Sequence, residues 1–101
     1  MRILVSENNG LETRNFIIDI KILDEKLKTL DDVKSAVIKA CTEYIHTEAG
    51  KKIYEYNCKC FNWEDFESYV PNEICRKYGF EKESVAYLYE SVDWDEQLVA
   101  E

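Results

Sequence analysis

Residues 29–50, TLDDVKSAVIKACTEYIHTEAG, decide the reading of this chain. They form the only long stretch with one clear period. Thr29 is placed to cap a helix, and Asp32, three residues on, completes a capping box. The Asp31-Asp32 pair also suits the positive end of a helix dipole. Projected at 100° per residue, Leu30, Val33, Val37, Cys41 and Tyr44 share an arc of about 80°. Ala40 and Ile45 flank that arc, and Asp32, Ser35, Lys39, Glu43 and His46 lie opposite. Gly50 reads as the stop. One amphipathic helix cannot bury its stripe alone, so neighbouring elements must cover it.

The flanking segments read as strands. Ile3-Leu4-Val5 is a short continuous apolar run, and Asn9-Gly10 is a turn signal. Residues 15–23, NFIIDIKIL, place Phe16, Ile18, Ile20 and Ile22 on one face and Asp19 and Lys21 on the other. Beyond the helix, Lys51–Cys60 alternates, with Tyr54, Tyr56, Cys58 and Cys60 facing one way. Asn62 then caps a short helix with Asp65 as its acidic partner, and Trp63, Phe66 and Val70 form its buried stripe. Pro71 breaks that helix and opens another turn, carrying Ile74, Cys75 and Tyr78 and ending at Gly79. Residues 84–92, SVAYLYESV, read as a central strand, and the tail DWDEQLVAE as a final turn or a loose end.

The expected fold is therefore α+β in the order ββαβ(αα)β. Residues 1–101 form one domain with a four-stranded mixed sheet and the long helix on one face. The order resembles the β-grasp fold of ubiquitin-like domains, where a hairpin leads into a capped helix and the last strand lies beside the first. The resemblance is topological and carries no activity with it. The sequence closes on Val99-Ala100-Glu101 rather than Gly-Gly, and it lacks the cysteine spacing of β-grasp ferredoxins. Neither conjugation nor an iron–sulfur cluster is expected.

Composition bounds the function. The 101 residues are 46% hydrophobic and 13% aromatic, a composition that can build a core. No apolar run approaches the roughly 20 residues needed to span a bilayer. The N-terminal run MRILV is too short for a signal peptide, so the expected location is the cytoplasm, with the four cysteines reduced. The net charge is −8. Residues 1–61 hold ten Lys/Arg and ten Asp/Glu, whereas residues 62–101 hold three against eleven. All the net charge thus falls in the last 40 residues. That disfavours direct nucleic-acid binding, which needs a basic face, and favours a basic partner.

Chemistry-bearing residues are few. Cys58-x-Cys60 has tighter spacing than the two to four intervening residues of structural zinc sites. Cys41 and His46 fall on different faces of the long helix. A Cys–His nucleophilic pair would need Cys58, Cys60 or Cys75 brought to His46, which lies on the predicted solvent face. Asp93-Trp94-Asp95-Glu96 offers carboxylates for a hard cation, though acidic chain ends are common. The expected chain uses no cofactor and no metal and is not an enzyme.

The acidic segment carries the sharper expectation. Glu64, Asp65 and Glu67 project from one short helix, Glu90, Asp93, Asp95 and Glu96 follow the last predicted strand, and Trp94 stands among them as an apolar anchor. Arrayed carboxylates imitate the charge density of a duplex. In size, charge and lack of a catalytic motif the chain resembles the small acidic DNA-mimic inhibitors of phages and mobile elements, anti-CRISPR and anti-restriction proteins among them. The expectation is an inhibitor that occupies the basic surface of a nucleic-acid-handling protein, itself a monomer or weak homodimer. Two alternatives stand beside it. One is a small thiol or metal enzyme using Cys58, Cys60, Cys75 or His46. The other is an assembly homodimer pairing through an edge strand.

Overall fold

The computed structural model describes residues 2–8, 10–86 and 97–100. Helix α1, Leu30–Ile45, organises them. Its capping box forms as expected. Thr29 Oγ1 accepts from Asp32 N at 3.1 Å, and Asp32 Oδ2 accepts from Lys28 N and Thr29 N at 3.0 Å each. These bonds, led by the one from Lys28, hold the Asp32 carboxyl below its ordinary value. Val33, Ala36, Val37, Ala40, Cys41, Tyr44 and Ile45 are buried. Leu30, expected among them, is only half-buried at the rim of the first turn. Each fully buried valine contributes roughly 1.5–3 kcal/mol.

The helix does not run on to Gly50. It ends at Ile45, and Thr47 starts a second helix, α2, Glu48–Tyr56. The Thr47 hydroxyl joins the two, donating to Tyr44 O at 2.6 Å and accepting from Gly50 N at 3.1 Å. Gly50 therefore lies inside the first turn of α2, pressed against the last turn of α1. A Cβ there would sit 1.9 Å from Tyr44 O.

The expected strand over Lys51–Cys60 is thus mostly helix. Alternation at period two is matched by Tyr54, Tyr56, Cys58 and Cys60, yet Tyr56 is 88% exposed. Within α2 and its cap the residues withdrawn from solvent are Gly50, Ile53, Tyr54 and Asn57, the spacing of one helix face. Lys51, Lys52 and Glu55 face water. The first residues of the expected strand 84–92 also go to a helix, α5, Lys82–Ala86, while 87–92 lie outside the described residues.

These two changes remove the four-stranded mixed sheet and with it the β-grasp-like α+β arrangement. Among the described residues the strands form two separate antiparallel pairs, set among five helices. Strands β1, Arg2–Asn8, and β2, Thr13–Asp19, form a hairpin registered from Arg2↔Asp19 to Asn8↔Thr13. The wet face of β2 is as expected, with Asn15, Ile17 and Asp19 exposed. Beyond the strand, Ile20 is buried and Ile22 half-buried; the side chains of Phe16 and Ile18 lie outside the description. Strand β3, Cys60–Asn62, pairs with β4, Gln97–Ala100, which lies in the tail and not in the expected last strand 84–92. Part of the tail read as a final turn or a loose end is therefore a strand, with Leu98 buried as its anchor.

Helices α3, Trp63–Tyr69, and α4, Asn72–Lys77, form where the sequence places them. Asn62 Oδ1 accepts from Asp65 N and Asp65 Oδ2 accepts from Asn62 N, each at 3.0 Å. Pro71 caps α4, and Gly79 closes the following turn at φ +95°, where an L side chain is strained. That turn anchors the exit of the hairpin: Leu23 N and Asp24 N both donate to Gly79 O, at 2.8 and 3.1 Å. Ile22 bridges Phe80, and Lys21 N donates to Ser84 Oγ at 3.0 Å. The core gathers the α1 stripe with Ile20, Phe61, Trp63, Phe66, Val70, Cys75, Phe80, Val85 and Leu98. α1 packs against α2, α4 and β4. No described helix is long and apolar enough to cross a membrane.

Candidate functional site

Helix α3 carries the first part of the predicted acidic site. Its apolar residues fix its orientation: Trp63 and Phe66 turn inward, with ring centroids 5.3 Å apart, and Phe66 meets Phe80 at 6.3 Å. With that face buried, Glu64 and Glu67, three residues apart, are exposed on the other. Asp65 differs from them. It is half-buried, its carboxylate completes the capping box, and Asn57 Nδ2 donates to it at 3.2 Å. Asp65 is therefore a fastener between the end of α2 and the start of α3, with one oxygen engaged by Asn62 N and the other by Asn57 Nδ2. Glu90, Asp93, Trp94, Asp95 and Glu96 lie outside the described residues.

The cations of this third of the chain are engaged nearby. Arg76 Nε lies 3.0 Å from Glu81 Oε1, and Asn72 Nδ2 donates to Glu81 Oε2 at 2.9 Å. These two bonds, Asn72 first, hold the Glu81 carboxyl below its ordinary value. Lys77 pairs with Glu43 across the α1–α4 contact. Lys82 Nζ stands 6.0 Å from the centre of the Phe66 ring. Glu73 and Glu83 are exposed, as are Glu64 and Glu67.

A second feature was not visible in the sequence. Ile38, Lys39, Thr42, Glu43, His46 and Tyr78 line an open groove of about 510 Å³. Glu43 Oε1 accepts from Lys77 Nζ and, at 3.0 Å, from Tyr78 Oη. The Lys77 bond is the main reason that the Glu43 carboxyl sits below its ordinary value, and Glu43 in turn raises the Tyr78 hydroxyl. His46 is exposed, as expected. Its Nδ1 lies 2.6 Å from Thr42 O, which can only accept, so Nδ1 carries the proton and a neutral ring keeps its lone pair on Nε2. Partners 34 and 35 residues apart leave no local signal of this cluster.

The Glu43 cluster makes a pH prediction. Its folded pKa is lowered, so its contribution to stability is complete above the ordinary carboxylate pKa, roughly 4. It is lost as pH falls through the lowered folded value. Between about pH 6 and about pH 3, the melting temperature of the parent should fall more steeply than that of Glu43→Gln. Circular dichroism melts measure both, and parallel profiles would contradict the linkage.

The cysteines divide into two classes. Cys41 and Cys75 are fully buried in the core. Burial pushes the Cys41 thiol far up and Cys75 to about 11, so neither is a nucleophile at neutral pH. Cys58 is exposed on the turn after α2, and Cys60 is half-buried as the first residue of β3. Among the described residues no three His, Cys, Asp or Glu side chains gather closely enough to hold a metal ion. Compared with protein-family models, curated proteins and solved structures, the chain has no significant match.

Proposed function

We propose that the chain is an acidic, non-catalytic protein-binding module of the cytoplasm that occupies the basic, nucleic-acid-binding surface of a partner protein. The observation that carries this reading is the exposure of Glu64 and Glu67 on α3, a short helix held rigidly by its buried Trp63 and Phe66. It lies within the 40 residues that contain the whole −8 charge. The sequence continues the same charge through Glu90, Asp93, Asp95 and Glu96. Carboxylates on a packed helix keep fixed spacing at little entropic cost, which is what complementarity to a phosphate-binding surface requires. Charge complementarity would raise the association rate first, and binding would weaken as salt shortens the Debye length below about 8 Å.

The immobilised chain, exposed to proteins of its own source cell, should retain a basic protein that short duplex DNA or RNA elutes at low salt. Elution by nucleic acid is the informative step, because it requires the two ligands to share one surface. Retention that resists nucleic acid and yields only to denaturant would contradict the reading.

A further inference from the structure

Helix α2 ends in a turn that normally calls for glycine. Cys58 N donates to Glu55 O at 3.1 Å and Lys59 N donates to Tyr54 O at 2.8 Å, the paired bonds of a Schellman motif. The residue after the cap in that motif is left-handed and is most often glycine. Here it is Cys58, at φ 58°, and Lys59 follows at φ 61°. Two successive non-glycine residues in this region are unfavourable, and strain of this kind concentrates at functional positions.

The consequence of the strain is geometric. An extended Lys59 would hold the flanking Cα atoms about 6.7 Å apart, at the outer edge of what a disulfide spans. A left-handed Lys59 curls the chain and draws them closer. Cys60 N donates to Asn57 O at 3.3 Å, and Cys60 Sγ is folded back to 3.7 Å from Cys58 O. We propose that Cys58 and Cys60 are a reversible redox dithiol, closed by exchange with a low-molecular-weight disulfide such as oxidised glutathione.

Exposure gives the order of events. The Cys58 thiol loses its proton to water, and its sulfur attacks one sulfur of the reagent. A mixed disulfide forms on Cys58 and one glutathione thiolate leaves. Cys60 then loses its proton, and its sulfur attacks the Cys58 sulfur. The Cys58–Cys60 bond forms and the second glutathione thiolate leaves. The protein gives up two electrons, and one disulfide becomes two thiols. Cys41 and Cys75, buried and protonated, do not compete. The proposal is independent of the acidic surface.

The full chain, folded, is equilibrated in glutathione buffers of increasing oxidised fraction, quenched in acid, alkylated and weighed intact. The expected product has lost two hydrogens, maps to the peptide holding both residues, and reverts in dithiothreitol. Cys41 and Cys75 should alkylate only after denaturation. In Cys60→Ser the mixed disulfide on Cys58 should accumulate at least about tenfold above the parent, because its resolving thiol is gone. A parent that stays fully reduced, or that holds a persistent glutathione adduct on Cys58 without closing, overturns the proposal. So does a bridge that includes Cys41 or Cys75.

Discussion

A chain carrying Val37→Asp should lose about 4 kcal/mol of stability or more and should unfold at a much lower denaturant concentration than the parent. Val37 is fully buried, in the middle of the α1 stripe that the rest of the core packs against. A carboxylate there must be desolvated without a partner or must take up a proton, and both cost several kcal/mol. Total stability for a domain of this size is about 5–15 kcal/mol, so one such change consumes much of it. Denaturant titration measures the loss. Val37→Ala, which leaves only a cavity, should fall between the parent and the aspartate variant. An unchanged midpoint for Val37→Asp would mean that this face of α1 is not the core.

Gly50→Ala should lower the melting temperature by roughly 10–20 °C, since about 2–3 kcal/mol is lost in a chain of this length. Helix propensity alone predicts the opposite, because alanine gains about 1 kcal/mol over glycine inside a helix. The clash decides the sign. The new Cβ would lie 1.9 Å from Tyr44 O and 2.6 Å from Tyr44 C, both backbone atoms that no rotamer change can move. Tyr44 O is also held by Thr47 N at 2.9 Å and by the Thr47 hydroxyl. Relief requires α1 and α2 to separate at their junction. A stabilised alanine variant would show that the two helices do not meet this closely.

What the sequence made legible is what local chemistry specifies. Thr29 with Asp32 and Asn62 with Asp65 mark helix starts because each cap is closed by residues three apart. The stripes Val33/Val37/Cys41/Tyr44 and Trp63/Phe66/Val70 are buried because each follows one period. Failure came where two periods fit one stretch. Lys51–Cys60 alternates, but the face it buries is helical, and Thr47, the cap that would have shown this, lay inside a helix read as continuous. Gly50 as a stop was a reasonable reading of a glycine after an amphipathic run, yet its role is close approach between two helices. Long-range pairings were invisible in principle: β3 with β4, Glu43 with Lys77 and Tyr78, and the hairpin exit with Gly79 all join residues far apart in the chain. Of the predicted acidic site, Glu64 and Glu67 are exposed as expected. Asp65 is half-buried, because the capping box that made it recognisable also engages its carboxylate.

The most direct test of the proposed function is the association rate of the captured basic partner with the parent chain and with Glu64→Lys/Glu67→Lys, followed by stopped flow across a salt series. Both substitutions lie on the exposed face of α3, away from its buried residues, so the fold should be kept. Association should be slowed by roughly tenfold at low salt, with a dissociation rate nearly unchanged and a difference that shrinks as salt rises. Equal association rates at low salt would contradict it, leaving the acidic face of α3 as a solvated surface with no part in recognition.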